Sequence, residues 1–427
     1  MNTKGFFCRH LAIWFYEETW HFTTLLAIFI DVVENLPSDA DLLVHETLLE
    51  FPDKTSAENI AAFLSRSQRV LHWFSDGADK PAIIRINLQQ SPVVKLVNSK
   101  LPELNSIGDL AGWLGISIGQ LDWLADLKRY DSSRPERFNH YHYRTTEKRD
   151  GRLRLIESPK RLLKSIQRQI SDDILIYAPV HNAAHGFCKG RNCQSHASNH
   201  IGKNYLFLFD LAHCFQSVHW LQVFRVFTQL GYTRTIARYL TSLATHRAYS
   251  NHVLLDRLDV DQRIRLRQRH LPQGAPSSPA LSNAVLSRLD KRLNGLAKSL
   301  RLDYSRYADD LAFSGNEHRD WRFLESLVGA ICNEEGFALN YRKTRLVRPG
   351  QRQKITGVVV NQKTNIDRRY YDSLKAVLTN CLRNDLDSQN RFNHSDFRAH
   401  LRGRIQHVKS LNESKGTKLE KIFEQFP

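Results

Sequence analysis

Within residues 303–315, apolar and aromatic runs alternate as strands do on either side of Asp309-Asp310, and Gly315 closes the second run. This period-two pattern predicts a β-hairpin with the two acids at its tip. Residues 205–209 form a short apolar run, expected as a buried strand that delivers Asp210 at its end. Helical spacing follows at 218, 221, 224, 227 and 230, stopped by Gly231. The same spacing recurs at 162, 163, 166, 170 and 174 after Lys160, and at 281, 285, 289, 293, 296 and 300 after Ser278-Pro279. It returns at 321, 324, 327, 328 and 331, ahead of Gly336. Residues 106–127 predict two short helices joined at Gly115, and 144–159 two strands around a turn at Asp150-Gly151. A strand at 355–361 is followed by basic helices over 370–427. Arg263, Arg265, Arg267 and Arg269 share one face in strand geometry, either a track for backbone phosphates or a solvated edge. The first 95 residues mix helical periodicity with β-like runs such as 82–88 and carry no recognisable chemistry. Helices and strands together predict an α/β (α+β) chain.

At 427 residues the chain is long enough for two or three domains with sizeable cores, and 41% hydrophobic with 25% charged residues is a globular composition. Lys plus Arg outnumber Asp plus Glu by 61 to 44, a net +17, which calls for a polyanionic partner. Nucleic acid and an anionic membrane both satisfy that charge. The most apolar early stretch, 23–33, is too short to span a bilayer and runs into Asp31 and Glu34, so neither a membrane helix nor a signal peptide is expected. Six scattered cysteines without a CxxC predict reduced thiols and a cytoplasmic protein.

The acid pair changes the picture most. Like charges on a tight turn repel unless a cation sits between them, and a divalent metal is the natural candidate; a solvated Asp-Asp turn is the plain alternative. Asp210, at the rim of a buried strand, suits a metal ligand, or else a helix cap. His185, Cys188, Cys193 and His196 are permissible zinc ligands, but the loop between the cysteines is unlike a zinc knuckle, and no zinc is expected. The helix pair at 106–127 has helix-turn-helix spacing, yet its second helix offers Gln120, Asp122 and Asp126, which suits packing better than DNA.

Tyr307-Ala308-Asp309-Asp310 resembles the YxDD box of reverse transcriptases, and Leu271-Pro272-Gln273-Gly274-Ala275-Pro276-Ser277-Ser278-Pro279 resembles their LPQGxPxSP box. His196-Ala197-Ser198-Asn199-His200 and Ile355-Thr356-Gly357 are similar to two further signatures of the retron type, the first with His in place of an expected Asn. The likeness covers about 105–375. It implies a right-hand polymerase, with fingers and an antiparallel palm over 96–365, a short helical RNA-binding thumb over 366–427, and an N-terminal extension over 1–95. It further implies catalysis by Asp210, Asp309 and Asp310, with Leu211 joining them around two Mg²⁺ ions. Arg154, Phe215, Gln273, Gly274 and Lys343 are implied to meet the deoxynucleoside triphosphate, Phe215 excluding a ribose 2′-OH. His200, Arg342, Arg345, Ile355, Thr356 and Gly357 are implied to meet RNA.

The activity so implied is RNA-directed DNA synthesis, primed from a 2′-OH of a structured non-coding RNA. The product is short multicopy single-stranded DNA, made within an anti-phage defence system that includes an effector protein. Two other polymerase types, abortive-infection and group II intron-like, share the boxes. An RNA-binding scaffold that restrains a toxic effector is the non-enzymatic alternative.

Overall fold

The computed structural model describes residues 4–17, 20–34, 36–75, 80–83, 100–127, 138–147, 151–248 and 254–426. It divides into two compact units, Met1–Ala178 with Phe215–Leu281, and Pro179–Cys214 with Ser282–Pro427.

The first unit begins with five helices, Lys4–Glu17, Phe22–Val32, Ala40–Glu50, Ala57–Arg66 and Gln68–Ser75. Phe7, Leu11, Phe15, Leu25, Phe29, Leu43 and Leu64 form their buried interior. A two-residue ladder pairs Val33–Glu34 with Ala82–Ile83; the rest of the run expected at 82–88 lies outside the described residues. Helices Ile107–Leu114 and Ile118–Ala125 meet at Gly115, whose φ of 67° ends the first. Asp122 on the second accepts a hydrogen bond from the Tyr239 hydroxyl at 2.5 Å, so this acidic face holds the helix Arg234–Ala244. Strands Tyr141–Glu147 and Leu153–Pro159 form the expected hairpin. Asp150 lies outside the described residues, and Gly151 has a φ of 80°.

Two local expectations need correction. The helix after Lys160 stays α-helical only through Arg161–Gln169, then widens into a π turn over Ile170–Ile174. Leu162, on the outer side of the α-helical part, is exposed, while Leu163, Ile166, Ile170 and Ile174 are buried. The arginine-rich run is also no strand. Val260–Leu266 is a helix capped by Asp259, which scatters the arginines around the backbone. Arg265 pairs with Asp261 and Ser217, and Arg269 donates to the carbonyls of Ser242, Ala125 and Asp126.

In the second unit an antiparallel sheet runs in the order Asp303–Tyr307, Asp310–Gly315, Tyr205–Ala212, Ala338–Leu339, and Arg345–Val347 also pairs with Tyr205–Ala212. Trp321, at the start of helix Trp321–Glu334, lies parallel to Phe209 at 5.3 Å and covers one face. Helices Arg368–Arg383, Phe397–Leu411 and Glu413–Phe423 share one apolar core with Leu206, Ala312, Ile355 and Val358. Strong apolar patterning of each helix therefore secures the C-terminal region to the sheet. No helix among the described residues is long and apolar enough to cross a membrane.

Candidate active site

Register brings the acids together. Asp210 pairs directly with Asp310 across the ladder, and the Leu211 amide donates to the Asp309 carbonyl at 2.9 Å. The turn between the hairpin strands is only Ala308-Asp309, and Ala308 sits at a φ of 56°. Two-residue hairpins require such left-handed geometry, which costs a non-glycine residue about 1–3 kcal/mol. Surrounding contacts hold it there. Arg306, fully buried, donates to the Ala308 carbonyl at 2.9 Å, to Asn283 at 3.0 Å and to Asp290 at 2.7 Å. Burial opposes the guanidinium charge, but the Asp290 carboxylate outweighs it and raises the Arg306 pKa. Deleting one partner of such a buried pair typically costs about 3–5 kcal/mol. Gly186 backs the same turn, since a Cβ there would lie 2.6 Å from the Ala308 nitrogen.

Asp210 is 4% exposed. Its two carboxylate oxygens accept from Lys343 Nζ at 2.7 Å and Asn340 Nδ2 at 3.0 Å, and its carbonyl accepts from the Asn340 amide at 2.7 Å. Burial, then repulsion from Asp309 and Asp210, pushes the Asp310 carboxyl up to about 6. The site is short of positive charge, and the Lys343 ammonium supplies part of it. Among the described residues no group of three or more His, Cys, Asp or Glu side chains is gathered closely enough to hold a metal ion. The donor chemistry nevertheless fits a hard divalent cation, because carboxylate oxygens that repel one another are what such an ion binds. Leu211 has a buried side chain and only its backbone carbonyl to offer.

In the first unit, backbone bonds gather the residues expected to meet a nucleotide. The Glu157 amide donates to the Gln273 carbonyl at 2.9 Å, and the Leu271 amide to the Phe215 carbonyl at 3.2 Å. Gly274 lies at a φ of 138°, and a Cβ there would come within 2.8 Å of the Glu157 carbonyl. Arg154, opposite Thr146 on the hairpin, is exposed. Beneath the loop Glu157, fully buried, accepts from His270 at 2.9 Å. Burial opposes a charged His270, yet the Glu157 carboxylate holds its pKa above the ordinary histidine value.

The residues expected to meet RNA divide. Arg342 and Arg345 are exposed, and Lys343, Arg345 and Thr356 line a cavity of about 330 Å³ beside Asp210 and Asp310. His200 must be corrected: it is 0% exposed, and its ring bridges Ser314 at 2.7 Å and Ser305 at 2.6 Å between the hairpin strands. Ile355 is likewise buried in the apolar core. Thr356 and Gly357, at φ of 44° and 90°, form the two-residue turn between Lys354–Ile355 and Val358–Val359. Their conformation is a turn requirement before it is a ligand contact. His185 bonds Ser195 and Asn199, and Cys188 lies 3.4 Å from the Asn283 amide.

Gly186, Asn283, Asp290 and Arg306 escaped the sequence reading. Each acts through the fold rather than through a motif, and only an acid–base pair 16 residues apart, Asp290 and Arg306, hinted at them.

Residues 146–367 match the family described as reverse transcriptase (RNA-dependent DNA polymerase). The chain is similar to the retron Mx65 reverse transcriptase of Myxococcus xanthus, 36% identical over 76% of this chain and 73% of that protein. It is similar to the retron Mx162 reverse transcriptase of the same organism, at 37% identity over 61% of this chain and 54% of the relative. With the retron Ec86 reverse transcriptase of Escherichia coli the identity is 33% over 66% of this chain and 80% of the relative. With its acid hairpin, antiparallel sheet and these relatives, the chain belongs to the reverse transcriptase family, is of the retron type, and is an RNA-directed DNA polymerase.

Proposed function

We propose that this polymerase copies part of a structured non-coding RNA, starting from a 2′-OH of that RNA, into short multicopy single-stranded DNA. Reverse transcriptases as a family use divalent metal ions. Here Asp210, Asp309, Asp310 and the Leu211 carbonyl would hold two Mg²⁺ ions, whose chemistry, when bound, would be to lower the pKa of the priming hydroxyl and to bind the triphosphate. The observation that carries this reading is the pairing of Asp210 with Asp310 beside Asp309, where burial first and then repulsion between the acids raises the Asp310 carboxyl.

The chain's own groups do the rest. Lys343 neutralises Asp210 in the free enzyme and, with Arg154, charge on the phosphates of an incoming deoxynucleoside triphosphate. Gln273 and Gly274 present backbone where the nucleotide must come close. Phe215 fills the space a ribose 2′-OH needs. The setting is cytoplasmic, and the product works with an effector protein in anti-phage defence.

Asp309→Asn keeps the side-chain shape and removes one charge. Nucleic acid that co-purifies with the parent protein should contain one discrete short DNA joined to RNA, whereas the variant should hold the RNA alone. Added Mg²⁺ should raise the melting temperature of the parent more than that of the variant. Synthesis by the variant within tenfold of the parent rate in a primer-extension assay rejects the site; heterogeneous, untemplated DNA on the parent rejects the retron product.

A further inference from the structure

Between the helices Arg368–Arg383 and Phe397–Leu411 the chain makes a loop that no catalytic argument uses. Its side chains are unusual for a connection. Phe392 is 85% exposed, more than any other large apolar residue among those described. A single exposed apolar side chain is ordinary on a protein surface, so the ring counts here only together with the loop and the rings that hold it. The loop is also built to hold it in place. The Asn390 side chain accepts from the His394 amide at 2.8 Å and donates to the His394 carbonyl at 2.9 Å, closing the loop beneath Phe392. Asn393, at a φ of 51°, makes the tight bend.

Behind Phe392 lies a stack of flat rings. His394 and His400 are parallel at 4.0 Å, Phe397 lies within 16° of both rings at about 6 Å, and Phe392 meets His394 edge-on at 6.3 Å. Residues 390–404 carry four arginines against the single acid Asp396; Arg398 and Arg402 lie over the Phe423 ring and Arg404 over Tyr370, and Arg391 is the one next to Phe392 in the chain. Asp396 is itself engaged in capping the helix Phe397–Leu411 through the Ala399 amide. An exposed ring on a pre-shaped loop, with excess positive charge and little apolar area around it, is poorly suited to a protein core. It suits a flat, anionic chain.

We propose that Phe392, backed by His394, Phe397 and His400, is a stacking platform for an unpaired base of single-stranded RNA, with the adjacent Arg391 on its phosphate. The proposal deepens the reading of this chain as an enzyme that selects one structured RNA. Every base has a π-face, so a ring of this kind binds unpaired nucleotides and ignores paired ones, whose faces are already covered.

The test uses full-length protein and labelled oligoadenylate RNA, with a perfectly paired RNA duplex as control. Phe392→Ala should weaken oligoadenylate binding about tenfold, as loss of one base–ring stack does, and leave duplex binding within about twofold. Phe392→Trp should restore it. Because the side chain projects into solvent, neither variant should change the melting temperature. Extension of a DNA primer annealed to a generic RNA template should also be unchanged, and its absence in the parent protein would reject the polymerase reading rather than this one. Oligoadenylate affinity equal to the parent's in Phe392→Ala overturns the proposal. So does equal weakening of single-stranded and duplex binding, or loss of a bound protein with RNA binding intact.

Discussion

At the scale of single residues, the acid turn depends on groups outside the acids themselves. Ala308 holds a left-handed backbone because Arg306 grips its carbonyl and Gly186 leaves room behind it. Gly186→Ala would put a methyl 2.6 Å from the Ala308 nitrogen and 3.2 Å from the Tyr307 carbonyl carbon, so the turn carrying Asp309 must move. Displacements of about 1 Å at a reacting centre can cost a hundredfold in rate. Primer extension should fall by about that factor while RNA affinity stays within about twofold; a variant at full rate would show that the turn tolerates the shift. Of this site the hairpin and its acid pair were legible in the sequence through the YxDD and LPQGxPxSP resemblances, since a lone Asp-Asp pair reads more simply as a solvated turn. Gly186 was not, since a close approach between segments more than a hundred residues apart leaves no local trace.

At the scale of elements, His200 shows how a motif can be structural. Its ring ties Ser305 on one hairpin strand to Ser314 on the other, with both ring nitrogens in hydrogen bonds. Burial first, then the charges of His185 and Lys203, lowers its pKa to about 3. A histidine lowered in the fold stays neutral while the unfolded chain takes up a proton. Its contribution to stability is therefore present above about 6.5 and is lost as the pH falls from there toward about 3, by up to about 1.4 kcal/mol per pH unit. The melting temperature should drop between roughly pH 7 and pH 5. In His200→Gln, which cannot protonate, it should start lower and drop less steeply, and parallel profiles would remove His200 as a contributor. The signature at 196–200 was visible as a pattern, but its burial between strands was not. Elsewhere, alternate arginines mimicked a strand at 263–269 because i, i+2 spacing also occurs by chance in a short polar helix, here set by the Asp259 cap. The long apolar periods at 281–300 and 321–331 do coincide with helices, Ser278–Ser299 and Trp321–Glu334, because they run for several turns.

For the whole molecule, charge divides the labour. The first 75 residues carry ten acids against five bases, whereas 342–427 carry nineteen bases against eight acids, most of the net +17. Acid helices at the N-terminus are a poor surface for phosphate, and the fold class gave no hint of their role. The divalent metals that the family uses contact only phosphate and sugar oxygens, so preference for one RNA must come from surfaces that read its shape and its unpaired bases. That charge is densest over 342–367, with seven bases against one acid, and the helices that follow are fastened to the catalytic sheet through the shared core around Leu206, Ala312 and Ile355. Replacing 342–427 with the matching segment of a relative that uses a different RNA should therefore redirect RNA-primed synthesis to that relative's RNA. Extension of a generic annealed primer should remain within a few-fold of the parent, because Asp210, Asp309 and Asp310 lie outside the exchanged segment and its Lys343 equivalent is retained. A chimera that extends generic primers yet still selects the original RNA would move recognition out of the C-terminal helices and into the part of the chain before residue 342.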